Sequence, residues 1–167
     1  VTANDIETIN IVSTDTASPF SAAHSLTLVA DSAKTVVLSG NASLSLTSVA
    51  GNNAVTSVNA QAMTGGLTYT TDATVAQTVT GGSGADSLTA ATGTVAQTLI
   101  GGAGSDTLTA NAGMSKLTGG AGTDSFVITT PSANVNTYST ITDLSIGETI
   151  KLQGTYTIAD GPDFDAL

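Results

Sequence analysis

Three aspartates stand at the same place in three glycine-rich hexapeptides: GGSGAD (81–86), GGAGSD (101–106) and GGAGTD (119–124). A carboxylate beside glycines is an all-oxygen donor set, which suits a hard cation. Other chemistries have little to work with. Cys is absent, so neither a disulfide framework nor a thiolate metal site can form. With one histidine, His24, a zinc site would need carboxylates for nearly every ligand. His24 lies in AAHSLTL, just before a strand pattern, and reads as a surface residue. Serines are many, but no G-x-S-x-G elbow accompanies them. The glutamates are Glu7 and Glu148 alone, and most aspartates fall in turns, so no carboxylate pair for sugar hydrolysis stands out. No helical pattern follows the glycines, which removes a nucleotide-binding loop. The chain is not expected to be an enzyme.

The elements that must carry these aspartates emerge as repeats. Residues 74–93, TVAQTVTGGSGADSLTAATG, align without gaps on 94–113, TVAQTLIGGAGSDTLTANAG. A shorter third copy begins at Met114. Each copy contains G-G-x-G-x-D-x-U-x, with U a large apolar residue, at 81–89, 101–109 and 119–127.

This nonapeptide resembles the RTX calcium-binding repeat of secreted bacterial proteins. The resemblance covers residues 74–128 and implies an all-β fold, a parallel β-roll or β-solenoid. In such a roll each nonapeptide makes half a coil: six residues turn, three form a strand, and U points inward. The inward set is Val79, Leu88, Leu99, Leu108, Leu117 and Phe126, with steps of 9, 11, 9, 9 and 9 residues. Val79, Leu99 and Leu117 belong to one sheet; Leu88, Leu108 and Phe126 belong to the other. The turns start 20 and 18 residues apart, close to one full coil, so all three stack on one edge. The opposite edge, AATGTVAQ (90–97) and ANAGMS (110–115), keeps Gly93 and Gly113 but lacks the aspartate.

The resemblance also implies Ca²⁺ between neighbouring turns, hence two ions. The first would use Asp86 and Asp106 with the carbonyls of Gly81, Ser83, Gly102 and Gly104. The second would use Asp106 and Asp124 with the carbonyls of Gly101, Ala103, Gly120 and Gly122. Asp106 would serve both. Coils about 4.8 Å apart would stack these carboxylates into a column of like charge, which a cation between each pair converts to attraction. The roll is therefore expected to fold on calcium.

The flanks read differently. Residues 1–72 lack a complete nonapeptide but carry β-prone pieces such as IETINIV (6–12), TVVLSG (35–40) and SLSLTSV (43–49), with turn signals at Gly40, Gly51 and Gly65. They read as irregular, metal-free N-terminal solenoid coils, with a separate small β-sandwich as the alternative. Residues 73–128 form the calcium-binding roll, and 129–167 the capping strands and tail. ITDLSIGETIKL (141–152) resembles the strand-turn-strand that ends many RTX rolls, with Leu144 for the usual Phe and Glu148 for the usual Asp. Asp143 or Glu148 could add a ligand to an ion, but both read first as members of a solvated turn. The acidic end, 160–167, resembles a type I secretion signal and equally suits a frayed tail.

Composition bounds the function. The 167 residues hold 13 acidic and 3 basic side chains, a net charge of −10. With no Arg and only Lys34, Lys116 and Lys151, phosphate-tracking nucleic-acid binding is excluded, as is attraction to an anionic membrane. Aromatic residues are 4%, which leaves no sugar-stacking platform and forces a thin Val/Leu/Ile core. A mean hydropathy of +0.25 is too apolar for a solvated tail. Val1 is no initiator, so the chain reads as a piece of a longer protein. The Lys-poor, Ser/Thr/Gly/Ala-rich make-up resembles bacterial surface-layer proteins. The partners it implies are calcium ions, further copies of the chain in a surface lattice, or cell-surface polysaccharide, outside the cell. The alternatives are the RTX tail of a type I secreted enzyme or toxin, and an adhesin or ice-binding solenoid. The last is disfavoured because the linear sequence holds no regular T-x-T ladder.

Overall fold

The computed structural model describes residues 6–16, 23–29, 32–48, 54–93, 95–111, 114–129 and 139–154. The acidic end at 160–167 and Gly113 lie outside these residues. The described chain is built from strands: β1 Thr8–Val12, β2 Ala23–Leu28, β3 Thr35–Gly40, β4 Ser43–Ser48, β5 Ser57–Met63, β6 Leu67–Thr70, β7 Thr78–Thr80, β8 Ser87–Ala90, β9 Thr98–Ala103, β10 Thr107–Ala110, β11 Lys116–Ala121, β12 Ser125–Thr129, β13 Thr140–Ile141 and β14 Thr149–Gln153. Among the described residues no helix is long and apolar enough to cross a membrane.

Odd and even strands separate into two sheets of seven, β1-β3-β5-β7-β9-β11-β13 and β14-β12-β10-β8-β6-β4-β2. Every pairing is parallel, as a chain that winds in one sense requires. The result is the expected all-β solenoid, with both sheets unbroken from first coil to last. The repeat rhythm sets the register. Val79 lies opposite Leu99 and Leu99 opposite Leu117 in one sheet. Leu88, Leu108 and Phe126 are aligned in the other. All six are fully buried. The first row continues back through Val58 and Val36 and the second through Tyr69 and Leu46, and Leu38, Leu44 and Leu67 from neighbouring rows join the same core. Period-two alternation thus buries every second residue of a thin core, with no need for bulky aromatics.

Strand boundaries depart from the simple six-plus-three division. β9 and β11 run through the first three turn residues, to Ala103 and Ala121, whereas β7 stops at Thr80. Second and third turns lie side by side and pair through Gly102–Gly120 and Ala103–Ala121. The first turn follows an irregular coil and has no equally shaped neighbour before it.

Register also creates what linear reading missed. On the outer face of the even sheet, Ser25, Ser45, Thr68, Ser87, Thr107, Ser125 and Thr149 align in one row. Two residues further along each strand, Thr70, Thr89 and Thr109 align in a second row, which ends in Val127 and Lys151. The rows mix Ser with Thr, and on this sheet T-x-T itself recurs only at 68–70 and 107–109, so hydroxyls align across coils without a regular T-x-T ladder.

His24 is corrected. It is half-buried, opposite Leu44 in β4, and its Nδ1 is 2.8 Å from the Ser13 hydroxyl.

Candidate metal centre

The glycine hexapeptides stack on one edge, and each aspartate is pinned by the coil before it. The Asp86 amide donates to Asp106 Oδ1 at 2.8 Å, and the Asp106 amide to Asp124 Oδ1 at 2.9 Å. Asp86 Oδ1 accepts from the Leu67 amide at 2.6 Å, because Leu67 holds the aspartate position in the preceding coil. Main-chain bonds repeat alongside: the Thr107 amide donates to the Asp86 carbonyl and the Ser125 amide to the Asp106 carbonyl, each at 2.8 Å.

The second carboxylate oxygen of each aspartate turns back across its own hexapeptide, onto the first glycine. A Cβ on Gly81, Gly101 or Gly119 would collide with Asp86, Asp106 or Asp124 Oδ2 respectively. Glycine is required there for space. At Gly104 and Gly122 it is required for conformation as well, with φ of 117° and 138°. Asp86 Oδ2 accepts from the Gly82 amide at 2.8 Å. Asp106 Oδ2 and Asp124 Oδ2 are buried with no hydrogen-bond partner.

Three carboxylates only 1–3% exposed, with two orphaned oxygens, form an unbalanced electrostatic site. Burial pushes the Asp106 carboxyl up to about 7, opposed by the Asp86 amide bond and reinforced by the charges of Asp86 and Asp124. Burial also raises Asp86, against the amides of Leu67 and Gly82. Such a column wants protons or a cation. Among the described residues no three acidic, His or Cys side chains converge as a metal-binding cluster, so a cation here would need main-chain carbonyls too.

Those carbonyls are present, but they face opposite to the expected assignment. The Gly102 and Gly104 carbonyls point forward, against Gly120 and Gly122, into the gap between the second and third turns. They were assigned to the first gap. The Gly101 carbonyl points back at Gly81, into the first gap, although it was assigned to the second. The Gly119 carbonyl likewise points back at Gly101, and the Ala121 carbonyl accepts from the Gly104 amide at 2.8 Å. From the first turn, Gly82 and Gly84 present their carbonyls to Gly102 and Gly104. For Gly101, Gly102 and Gly104 the donors trade places: the second and fourth residues of the first two turns face the next coil, while the first residues of the second and third turns and the third residue of the third turn face the previous one.

Sequence reasoning missed the device on the opposite edge. Gln77 and Gln97, 2% and 1% exposed, fill it. The Gln77 amide donates to Gln97 Oε1 at 2.8 Å, and Gln77 Nε2 donates to the Val55 carbonyl at 2.9 Å. Gln97 Nε2 reaches the carbonyls of Asp72 and Val75, both at 3.0 Å. A neutral amide supplies donor and acceptor together, so this edge closes without an ion. The signal was available: TVAQ occurs at the same place in both long repeats, at 74–77 and 94–97. Asp143 was misjudged also. Its carboxylate accepts from the Gly119 and Gly120 amides at 2.9 and 2.8 Å, clasping the third turn.

Fold and edge together define a parallel β-roll with a one-sided ladder of glycine–aspartate turns. A family model described as the RTX calcium-binding nonapeptide repeat (4 copies) matches residues 76–94 and 100–127. These two segments are similar to that repeat, and the similarity implies calcium binding. No curated protein and no solved structure matches the chain. The residues fit the ion. The second gap offers orphaned Asp106 Oδ2, Asp124 and four carbonyls, within the six to eight oxygens that Ca²⁺ takes.

The raised carboxyls set a pH response for the calcium-free chain. An unfolded Asp titrates near about 3.9. A folded value above that means the folded state holds its proton longer, so stability falls as pH rises from about 4 to about 7. In calcium-free buffer the chain is expected to melt at a higher temperature at pH 5 than at pH 8. With excess calcium the order reverses, because protons then compete with the ion. An equal or higher calcium-free melting temperature at pH 8 contradicts the assignment.

Proposed function

We propose that this chain is a calcium-folded, non-catalytic structural module of a secreted bacterial surface protein, with a surface-layer lattice as its working state. The observation that carries the reading is the buried Asp86–Asp106–Asp124 column with two partnerless oxygens. The proposed ligands of the first ion are Asp86 and Asp106 with the carbonyls of Gly82, Gly84 and Gly101. Those of the second are Asp106 and Asp124 with the carbonyls of Gly102, Gly104, Gly119 and Ala121. When bound, calcium cancels the repulsion along the column and ties adjacent coils together.

Linkage supplies the function. A ligand that binds only the folded state stabilises it by mass action. Low cytosolic calcium leaves the chain loosely folded and fit for export; high extracellular calcium closes the roll. RTX repeats occur in secreted bacterial proteins, which supports the location. The composition, with 3 basic residues and no Cys, supports the surface-layer assignment over a catalytic one.

Electron microscopy of the purified chain with and without calcium tests it. Ordered two-dimensional sheets that form with calcium and dissolve in EGTA are expected. Soluble monomers at saturating calcium overturn the lattice reading and favour the RTX tail of a secreted enzyme or toxin.

A further inference from the structure

On the outer face of the even sheet lies a cleft that the calcium reading does not use. Its volume is about 600 Å³, inside the range of roughly 300–1,000 Å³ typical of small-molecule sites. Register sets its floor: Ser45 in β4 lies opposite Thr68 in β6, and Thr47 and Thr70 follow two residues further along each strand. Alternation sends all four outward, because Leu46 and Tyr69 between them belong to the core. β6 ends at Thr70, and the chain then turns through 71–74 to form a wall that carries Asp72 and Thr74.

The buried glutamines fix that wall. Gln77 Oε1 accepts from the Asp72 amide at 3.2 Å and from the Tyr69 hydroxyl at 3.1 Å. Gln97 Nε2 donates to the Asp72 carbonyl at 3.0 Å. Asp72 Oδ1 in turn accepts from the Thr74 amide at 2.7 Å and the Thr74 hydroxyl at 2.5 Å. The Thr74 hydroxyl, and then its amide, hold the Asp72 carboxyl below its ordinary value, so it is charged at neutral pH. The equivalent stretch of the next coil, 90–97, has no acid. Two buried side chains thus hold one half-buried carboxylate beside a set of hydroxyls.

We propose that this cleft binds a segment of a neutral polysaccharide, with Asp72 accepting hydrogen bonds from sugar hydroxyls. The inference goes beyond the calcium reading and uses none of its ligands. Charge selects the ligand class. β2, β4, β6, β8 and β10 contain no Lys, Asp or Glu, and among the described residues Asp72 is the one charge that lines the cleft. An anion would meet a carboxylate and no cation. An ammonium carries donors only and would leave the donor capacity of the wall hydroxyls unused. Sugar hydroxyls both donate and accept, as Ser and Thr do, and an ionised carboxylate is a stronger acceptor for them than a neutral group. Tyr69 is 2% exposed and presents no ring face for stacking, so binding rests on hydrogen bonds and is weak.

Titration of the isotope-labelled whole chain at saturating calcium, followed through NMR amide shifts, tests this. The probes are cellotetraose, maltotetraose and mannotetraose as neutral glycans, tetragalacturonate as an anion and methylammonium as a cation. At least one neutral probe is expected to shift the amides of residues 68–74. Asp72→Asn keeps an Oδ1 acceptor for Thr74 and is expected to weaken that binding about fivefold. Thr70→Val removes one hydroxyl from a strand position and is expected to weaken it about threefold. Thr109→Val, in the same row two coils away, is expected to leave it unchanged. Circular dichroism verifies that each variant folds. Silence of these amides toward every neutral probe overturns the proposal. So do equal affinities in the wild type, Asp72→Asn and Thr70→Val, or a stronger response of these amides to methylammonium or tetragalacturonate. Each of these results leaves calcium folding intact, which is read separately from calcium uptake.

Discussion

Chelation with EGTA is expected to abolish most of the β circular dichroism of the calcium-loaded chain at neutral pH, and added calcium to restore it. The core is thin, mostly one Val or Leu per half coil, so burial alone leaves little margin over chain entropy. Against that margin stands a buried acidic column in which Asp106 is flanked by two like charges. Calcium reverses the sign of this interaction, and occupancy at a hundredfold excess over Kd adds about 2.7 kcal/mol per site. Two sites acting on one cooperative stack supply about 5 kcal/mol, comparable to the whole net stability of a marginal small domain. The transition should follow free calcium sigmoidally, since each aspartate amide is tied to the next coil. An unchanged spectrum in EGTA at neutral pH would refute calcium-driven folding.

Asp106→Asn is expected to cost more calcium than Asp86→Asn. The Asp106 Oδ1 is anchored to the first turn through the Asp86 amide, while its Oδ2 faces the third turn beside the Gly119 carbonyl. Loss of its charge therefore weakens both gaps at once. Asp86 adjoins one calcium gap only, because its other neighbour is Leu67. Calorimetry should lose two ions with Asp106→Asn and one with Asp86→Asn. The calcium midpoint of folding should rise by more than tenfold in the first variant, and by less in the second. Equal losses would remove the bridging role. Asparagine keeps the shape and the Oδ1 acceptor, so the comparison reads charge and coordination and not a cavity.

Much of the roll was legible because its physics is local and periodic. The 9- and 11-residue steps between large apolar residues named the buried set correctly, from Val79 to Phe126. The single-edge stacking of Asp86, Asp106 and Asp124 followed from the 20- and 18-residue separations. What escaped depends on facts a linear string does not encode. The direction of each glycine carbonyl is set by how one turn leans on the next, so ligand carbonyls were paired with the wrong gaps. Gln77 and Gln97 drew no assignment from the sequence, because several of the backbone groups they bond lie 20 to 25 positions away. Asp143 looked like a turn residue because the two amides it accepts from lie 24 and 23 positions earlier.

The sequence by itself determined the class of fold, the rows of the core, the edge that carries the carboxylates and the chemistry of a hard cation. These depend on residue type and spacing, which period-two strands and glycine turns translate directly. Only the tertiary structure decided which oxygens lack partners, which way the carbonyls face and how Asp143 clasps the third turn. It also turned scattered serines and threonines into aligned hydroxyl rows. The reason is common to all of these: each is a relation between coils, created when parallel register brings residues about twenty positions apart side by side.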